Sequence, residues 1–134
     1  MYAQSDLLVV KKDLIARVSK IIRMVDSQVQ GFRPEAEAHA LAEAPREACG
    51  LVVQVGEDAR YIRCRNICED PEQHFVLEPR DYLQASMAGT IIAVIHSHPD
   101  GQPPSEQDHK ACQQSNLPWH IYQLPQDQWV TINP

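Results

Sequence analysis

At 134 residues, with 43% hydrophobic, 22% charged and 6% aromatic side chains, the chain has a globular composition and a one-domain length, which excludes a TIM barrel or two full catalytic domains. Twelve Lys and Arg against eighteen Asp and Glu give a formal net charge of −6, so a surface that captures nucleic acid by neutralising phosphates is disfavoured. Polyanions are poor candidate partners.

The N-terminus sets Asp6 ahead of the short apolar run Leu7 to Val10 and lysines after it, the reverse of a secretory signal. A cytoplasmic location is expected, with the thiols of Cys49, Cys64, Cys68 and Cys112 reduced. Cys64 and Cys68 lack a second Cys or His pair, so buried or half-buried thiols are a better reading than a zinc ribbon.

From Val10 to Gln30, apolar Leu14, Ile15, Val18, Ile21, Ile22, Val25 and Val29 recur at three- and four-residue spacing, the mark of an amphipathic helix that Gly31 ends. A second helix is expected over Glu35 to Glu43, after Pro34 and closed by Pro45. Cys49 to Val55 reads as a buried strand, Gly56-Glu57-Asp58 as a turn, and Arg60 to Arg63 as the returning strand of a hairpin. Irregular chain over Asn66 to Glu72 leads to His74-Phe75-Val76-Leu77. Glu78-Pro79 then opens a helix over Arg80 to Ala88, ended by Gly89.

Ile91 to Ile95 is the central apolar strand and the longest strongly apolar run, far short of the roughly 20 residues a membrane helix requires. No bilayer span is expected. A Gly- and Pro-containing loop, Asp100 to Pro104, precedes a helix over Ser105 to Ser115, and Trp119 to Leu124 and Trp129 to Ile132 close the chain as short strands. With no repeat, low-complexity tract or linker, residues 1–134 are expected to form a single α/β domain.

The chemistry-bearing residues gather at the end of the central strand. In His96-Ser97-His98-Pro99, side chains alternate, so His96 and His98 share a side and Ser97 points away. Asp108 follows in the first turn of the next helix, after a loop that can fold it back over the imidazoles. Two neutral imidazoles and a carboxylate make a three-ligand zinc site with a fourth position open to water, the catalytic pattern. Plainer readings also exist. A His-x-His pair alone is common, Ser105-Glu106-Gln107-Asp108 fits a helix capping box, and Glu47 alone reads as a surface glutamate.

Taken together, His96-Ser97-His98-Pro99, Ser105-x-x-Asp108 and the upstream Glu47 in Pro-Arg-Glu-Ala-Cys-Gly resemble the JAMM/MPN metalloprotease signature, a likeness that runs from about Glu43 through Leu117-Pro118-Trp119. Six residues, Pro99 to Pro104, separate His98 from Ser105, one fewer than is usual in that family. The resemblance implies a JAMM/MPN (cytidine-deaminase-like) α/β fold, a curved mixed sheet packed by helices. It implies one Zn2+ per chain on His96, His98 and Asp108, with Glu47 as general base and proton donor and Ser105 as hydrogen-bond donor to the oxyanion. Removing such a donor typically costs about 100- to 1,000-fold in rate.

Arg63-Cys64-Arg65-Asn66, Asp70-Pro71-Glu72-Gln73-His74-Phe75 and Asn116-Leu117-Pro118-Trp119 look most like the N-terminal module of the phage tail assembly K proteins, where an NlpC-type cysteine peptidase commonly follows. With the sequence ending at Pro134, a solitary module is expected, and an NlpC-type peptidase becomes a possible partner. Asn66 and His74 are candidates for the substrate cleft, although a bracing Asn and a surface His serve equally well. His39, His109 and His120 carry no signal, and Cys112 reads as packing.

Other zinc classes lack their marks. There is no His-Glu-x-x-His, no Asp-His after His98, and no Pro-Cys-x-x-Cys. Two functions follow from the resemblance. One is a zinc peptidase or isopeptidase acting on a tail component or on the C-terminal tail of a ubiquitin-like or sulfur-carrier protein. The other is a non-catalytic tail-assembly module on the same fold.

Overall fold

The computed structural model describes Lys12, residues 14–18 and residues 31–134. Residues 14–18 are helical, with Leu14, Ile15 and Val18 exposed, and the rest of the helix expected over Val10 to Gln30 lies outside the described residues. From residue 31 onward the elements are α1 (Arg33–Glu43), β1 (Cys49–Val55), β2 (Asp58–Cys64), α2 (Pro79–Ala88), β3 (Thr90–His98), α3 (Glu106–Ser115), β4 (Trp119–Gln123) and β5 (Gln128–Ile132). Among the described residues no helix is long and apolar enough to cross a membrane.

The strands form one mixed sheet in the order β2-β1-β3-β4-β5. Only β3 and β4 run parallel, joined through α3 as a crossover; every other neighbouring pair is antiparallel. Consecutive Leu51, Val52 and Val53 in β1 are all fully buried, which requires both faces of the sheet to be covered. Val52, with Tyr61, Ala93 and Ile95, packs on Phe32 and on Ala36 of α1. Leu51 and Val53, with Val94, Trp119 and Ile121, pack on Ala85 of α2 and Cys112 of α3. The period-two alternation thus assigns α1 to one face and α2 and α3 to the other.

Several boundaries differ from the sequence reading by a residue or more, three of them for a clear structural reason. Helix α1 begins at Arg33, before Pro34, because a proline is tolerated in the first helical turn. Strand β2 runs from Asp58 to Cys64, since β1 pairs with it over its whole length, Cys49 opposite Cys64 and Val55 opposite Asp58. Gly56, at φ +62°, takes the left-handed conformation that this short hairpin turn uses. Strand β3 runs on through both histidines, because β4 continues to pair with it as far as His98 opposite Gln123.

Candidate metal centre

The two histidines are the last residues that β3 offers before the chain turns. Ser97 between them faces away, and its Oγ accepts a hydrogen bond from the Ala48 N–H at 2.8 Å while its own N–H donates to the Ala48 carbonyl at 2.9 Å. These bonds extend the β1–β3 pairing beyond its last register pair, Cys49 opposite His96. Glu47, two residues earlier, therefore stands across from His98 on the face both imidazoles share. The Glu47 carboxylate is buried, with Oε1 4.0 Å from His96 Nε2 and 3.9 Å from His98 Nε2. A surface glutamate, the reading from the residue alone, is corrected here: the register draws Glu47 inward.

Asp108 arrives by a different route. Ser105 N-caps α3 in a full capping box, its N–H donating to Asp108 Oδ2 at 2.9 Å and its Oγ accepting from the Asp108 N–H at 3.0 Å. The same carboxylate lies between the imidazoles, Oδ1 3.3 Å from His96 Nε2 and Oδ2 3.3 Å from His98 Nε2, while the two Nε2 atoms are 3.1 Å apart. Capping box and convergence on the histidines are thus two uses of one geometry. Because Ser105 Oγ accepts from Asp108, its hydroxyl proton remains available for donation.

The surroundings set the protonation states. His98 Nδ1 lies 2.6 Å from the Gln102 carbonyl, which accepts a hydrogen bond from Nδ1–H and so favours the tautomer whose Nε2 lone pair, in the neutral ring, faces the centre. Gln123 Nε2 donates to that carbonyl at 3.2 Å and to the Gly101 carbonyl at 3.3 Å, holding the loop in place. Burial lowers the His98 pKa, but the Asp108 carboxylate and the Gln102 carbonyl beside the ring outweigh it and the net shift is upward. His96 is fully buried, between Phe75 (4.5 Å) and Trp119 (5.4 Å between ring centres), and burial drives its pKa down. Burial also opposes ionisation of Asp108, yet the two histidines overcome it and hold that carboxyl well below the usual carboxylate range. Glu47 goes the other way: burial, with help from Asp108, Asp100 and Asp70, pushes its pKa to about 8.

The resulting donor set suits a cation. Two Nε2 atoms, the Asp108 oxygens and Glu47 Oε1 face one another, and a cation among them would be met by the Nε2 lone pair of each imidazole in its neutral form. Glu47, His96 and His98 also form a compact group by themselves, all three buried with their ligand atoms within 4.8 Å of one another. Nitrogen, nitrogen and carboxylate oxygen is a zinc-type donor set.

A cleft of about 510 Å³ opens on this centre, lined by Glu72, Gln73, His74 and Phe75 from the segment before α2 and by Asp100, Gln102, Pro103, Pro104 and Ser105 from the loop before α3. His74 therefore lines it, as the sequence allowed. Asn66 does not, and its bracing role accounts for it: Nδ2 donates to the carbonyls of Glu47 and His74, both at 3.0 Å, and Oδ1 accepts from the N–H groups of Cys68 (3.0 Å) and Val76 (3.1 Å). Phe75 and Trp119 flank His96, a role that the sequence did not show, since it placed them only in segments resembling the tail assembly K proteins. His39 is buried against the Tyr61 hydroxyl and His120 bonds Thr131. The four cysteines are free, and burial raises the Cys49 and Cys64 thiols, Cys64 to about 12, which keeps them protonated.

Comparison with known proteins decides the family, because the model for prokaryotic homologs of the JAB domain matches residues 32–131. The chain belongs to this JAB family. Its JAB domain is 48% identical over 98 residues to tail tip assembly protein K of Escherichia phage N15, covering 72% of this chain and 40% of that protein. It is 34% identical over 87 residues to a probable TtuB-protein conjugate cleaving protease of Thermus thermophilus, covering 60% of this chain and 59% of that one. A solution structure of a Desulfitobacterium hafniense protein superposes with a TM-score of 0.57 at 30% identity, over 76% of this chain and 77% of the other. The chain thus spans well under two thirds of the tail protein's length. The Glu47, His96 and His98 group falls within the residues that the JAB model matches.

Proposed function

We propose that this JAB domain is a zinc-dependent peptidase or isopeptidase in which His96, His98 and Asp108 hold the metal, Glu47 moves the proton and Ser105 donates to the developing oxyanion. One observation carries it: Asp108 lies 3.3 Å from both imidazole Nε2 atoms, while Glu47, on the same face, stays 3.9 to 4.0 Å away. The nearer carboxylate is the ionised one and suits a ligand; the farther titrates close to neutral pH and suits proton transfer. Zinc bound there would supply Lewis acidity, polarising a carbonyl and making water nucleophilic near pH 7.

The chain's own residues would do the rest. Glu47, with a pKa of about 8, can take a proton from the attacking water and return it to the departing amine. Ser105 directs a free hydroxyl proton from the N-terminus of α3, where the helix dipole also favours negative charge. Phe75 and Trp119 shield His96 from water and hold its ring in place.

The similarity to a phage tail tip assembly protein favours a tail component as substrate, and that to a conjugate-cleaving protease favours a ubiquitin-like conjugate. A non-catalytic assembly module has no use for a proton-transfer carboxylate at this position, so Glu47→Gln separates the classes. The amide keeps the shape of the carboxylate, so fold and metal should be retained while cleavage of a peptide substrate falls about 100- to 10,000-fold. Equal cleavage by wild type and Glu47→Gln would remove Glu47 from the chemistry.

A further inference from the structure

A second cavity, of about 390 Å³, shares no lining residue with the cleft over the metal centre. It forms where the C-terminal part of α1 and the turn after it meet the end of β2. Three arginines line it against one carboxylate, in a chain whose formal net charge is −6. Two of the three are already matched. Arg65 donates from Nε and Nη2 to Asp81, both at 3.2 Å. Arg46 lies 3.5 Å from Glu43, and its Nη2 donates to the Asn66 carbonyl at 2.9 Å. Arg63, exposed on β2, makes no hydrogen bond or ion pair among the described residues. One positive charge is left over, which suits a monoanion.

His39 supplies an independent sign of a ligand. It is only 5% exposed, and its Nδ1 lies 2.6 Å from the Tyr61 hydroxyl. Burial raises the Tyr61 pKa and keeps its O–H, and that proton has no other acceptor, so the hydroxyl donates and Nδ1 accepts. Burial, then the Arg63 charge, lowers the His39 pKa, so the ring is neutral and its one proton sits on Nε2. Nε2 makes no hydrogen bond. Nor is it sealed in, since the fully enclosed side-chain atoms without a partner among the described residues are Arg33 Nε and His96 Nδ1. Its remaining access is through the cavity that His39 lines. A nearly buried N–H without a partner, beside an uncommitted guanidinium, calls for an acceptor oxygen. Ala48 and Ile67 add apolar lining, and the volume is that of a small-molecule site.

We propose that this cavity binds a small organic acid, its carboxylate held by His39 Nε2–H and the Arg63 guanidinium and its short apolar body lying against Ala48 and Ile67. The site takes one carboxylate, not a polyanion, and it depends neither on the metal nor on the peptidase reading.

Titration of the full nitrogen-15-labelled chain, followed by NMR, tests it with benzoate, acetate and benzamide as probes. Benzoate should shift the His39 ring nitrogens and the Ile67 amide along one saturable curve. Acetate, which lacks the ring, should bind about 10-fold more weakly, and benzamide, which lacks the charge, should not saturate. Arg63→Gln changes an exposed residue and should weaken benzoate about 10-fold. His39→Asn keeps an acceptor for the Tyr61 hydroxyl and removes the Nε2 donor, and should weaken it by a similar factor. Arg60→Gln makes the same change in charge from the other side of β2, outside the cavity, and should leave binding intact.

Equal titration by benzoate and benzamide, acetate binding as tightly as benzoate, or no saturable shift at His39 would overturn the proposal. So would an equal loss in Arg60→Gln and Arg63→Gln. Shifts confined to the His74 and Gln102 amides would put the acid in the metal-centre cleft and overturn it too. Tighter binding of a peptide ending in a free phenylalanine carboxylate than of benzoate would overturn the assignment to a small acid in favour of a chain end.

Discussion

Two carboxylates a few ångströms from the same pair of imidazoles are driven to opposite protonation states by what surrounds them. Asp108 lies 3.3 Å from both rings, and the two histidines keep it ionised; Glu47 stands 3.9 to 4.0 Å away, and burial raises its pKa to about 8. The consequence for stability follows from linkage. A carboxyl whose folded pKa lies above its unfolded value of 4.5 contributes stability that is fully present below about pH 4.5 and is lost as pH rises through about 8. In metal-free protein, Glu47→Gln should therefore melt higher than wild type at pH 9, and the two curves should converge toward pH 5. Thermal melts in chelator across that range check it, and a gap that does not vary with pH would contradict the burial of an uncompensated carboxylate. The opposite roles were not legible at this scale, since a glutamate in Pro-Arg-Glu-Ala-Cys-Gly carries no local sign of burial. What buries it is a register between segments 49 residues apart, through the Ala48–Ser97 bonds.

At the scale of elements, the local signals were the legible ones. The parity of His96 and His98 follows from strand geometry and the capping box from four consecutive residues, so neither needs a distant partner to be read. Because Ser105 caps α3 and also faces the cleft, Ser105→Ala should lower stability by about 1 kcal/mol and turnover by about 100- to 1,000-fold, and Ser105→Thr should restore both. Urea unfolding and steady-state kinetics on the same preparations separate the two losses; a stability loss with unchanged turnover would leave Ser105 as a cap alone. The segment between β2 and α2 was less legible, because its order depends on one buried amide. Asn66 ties five backbone groups, including the carbonyl of Glu47, so Asn66→Ala should cost about 2 to 4 kcal/mol in urea unfolding. A loss under about 0.5 kcal/mol would show that the segment is held by other contacts.

For the whole molecule, the sheet does what its apolar pattern demands: β1 and β3 are covered on both faces, and the parallel β3–β4 pair sets the centre at the carboxyl ends of these two strands. The α/β class was legible from the alternation of apolar runs with helical segments. The aromatic enclosure of His96 was not, because Phe75 and Trp119 reach it from a loop and from β4, which share no sequence pattern with β3. The central claim is that three particular side chains bind zinc while a fourth beside them does not, and parallel metal analysis of purified protein tests it most directly. After zinc loading and exhaustive dialysis, wild type and Glu47→Gln should each retain one zinc ion per chain, whereas Asp108→Ala should retain almost none, with folding of all three verified by circular dichroism. Full occupancy in folded Asp108→Ala, or loss of zinc from Glu47→Gln, would contradict the account and make Glu47 the third ligand.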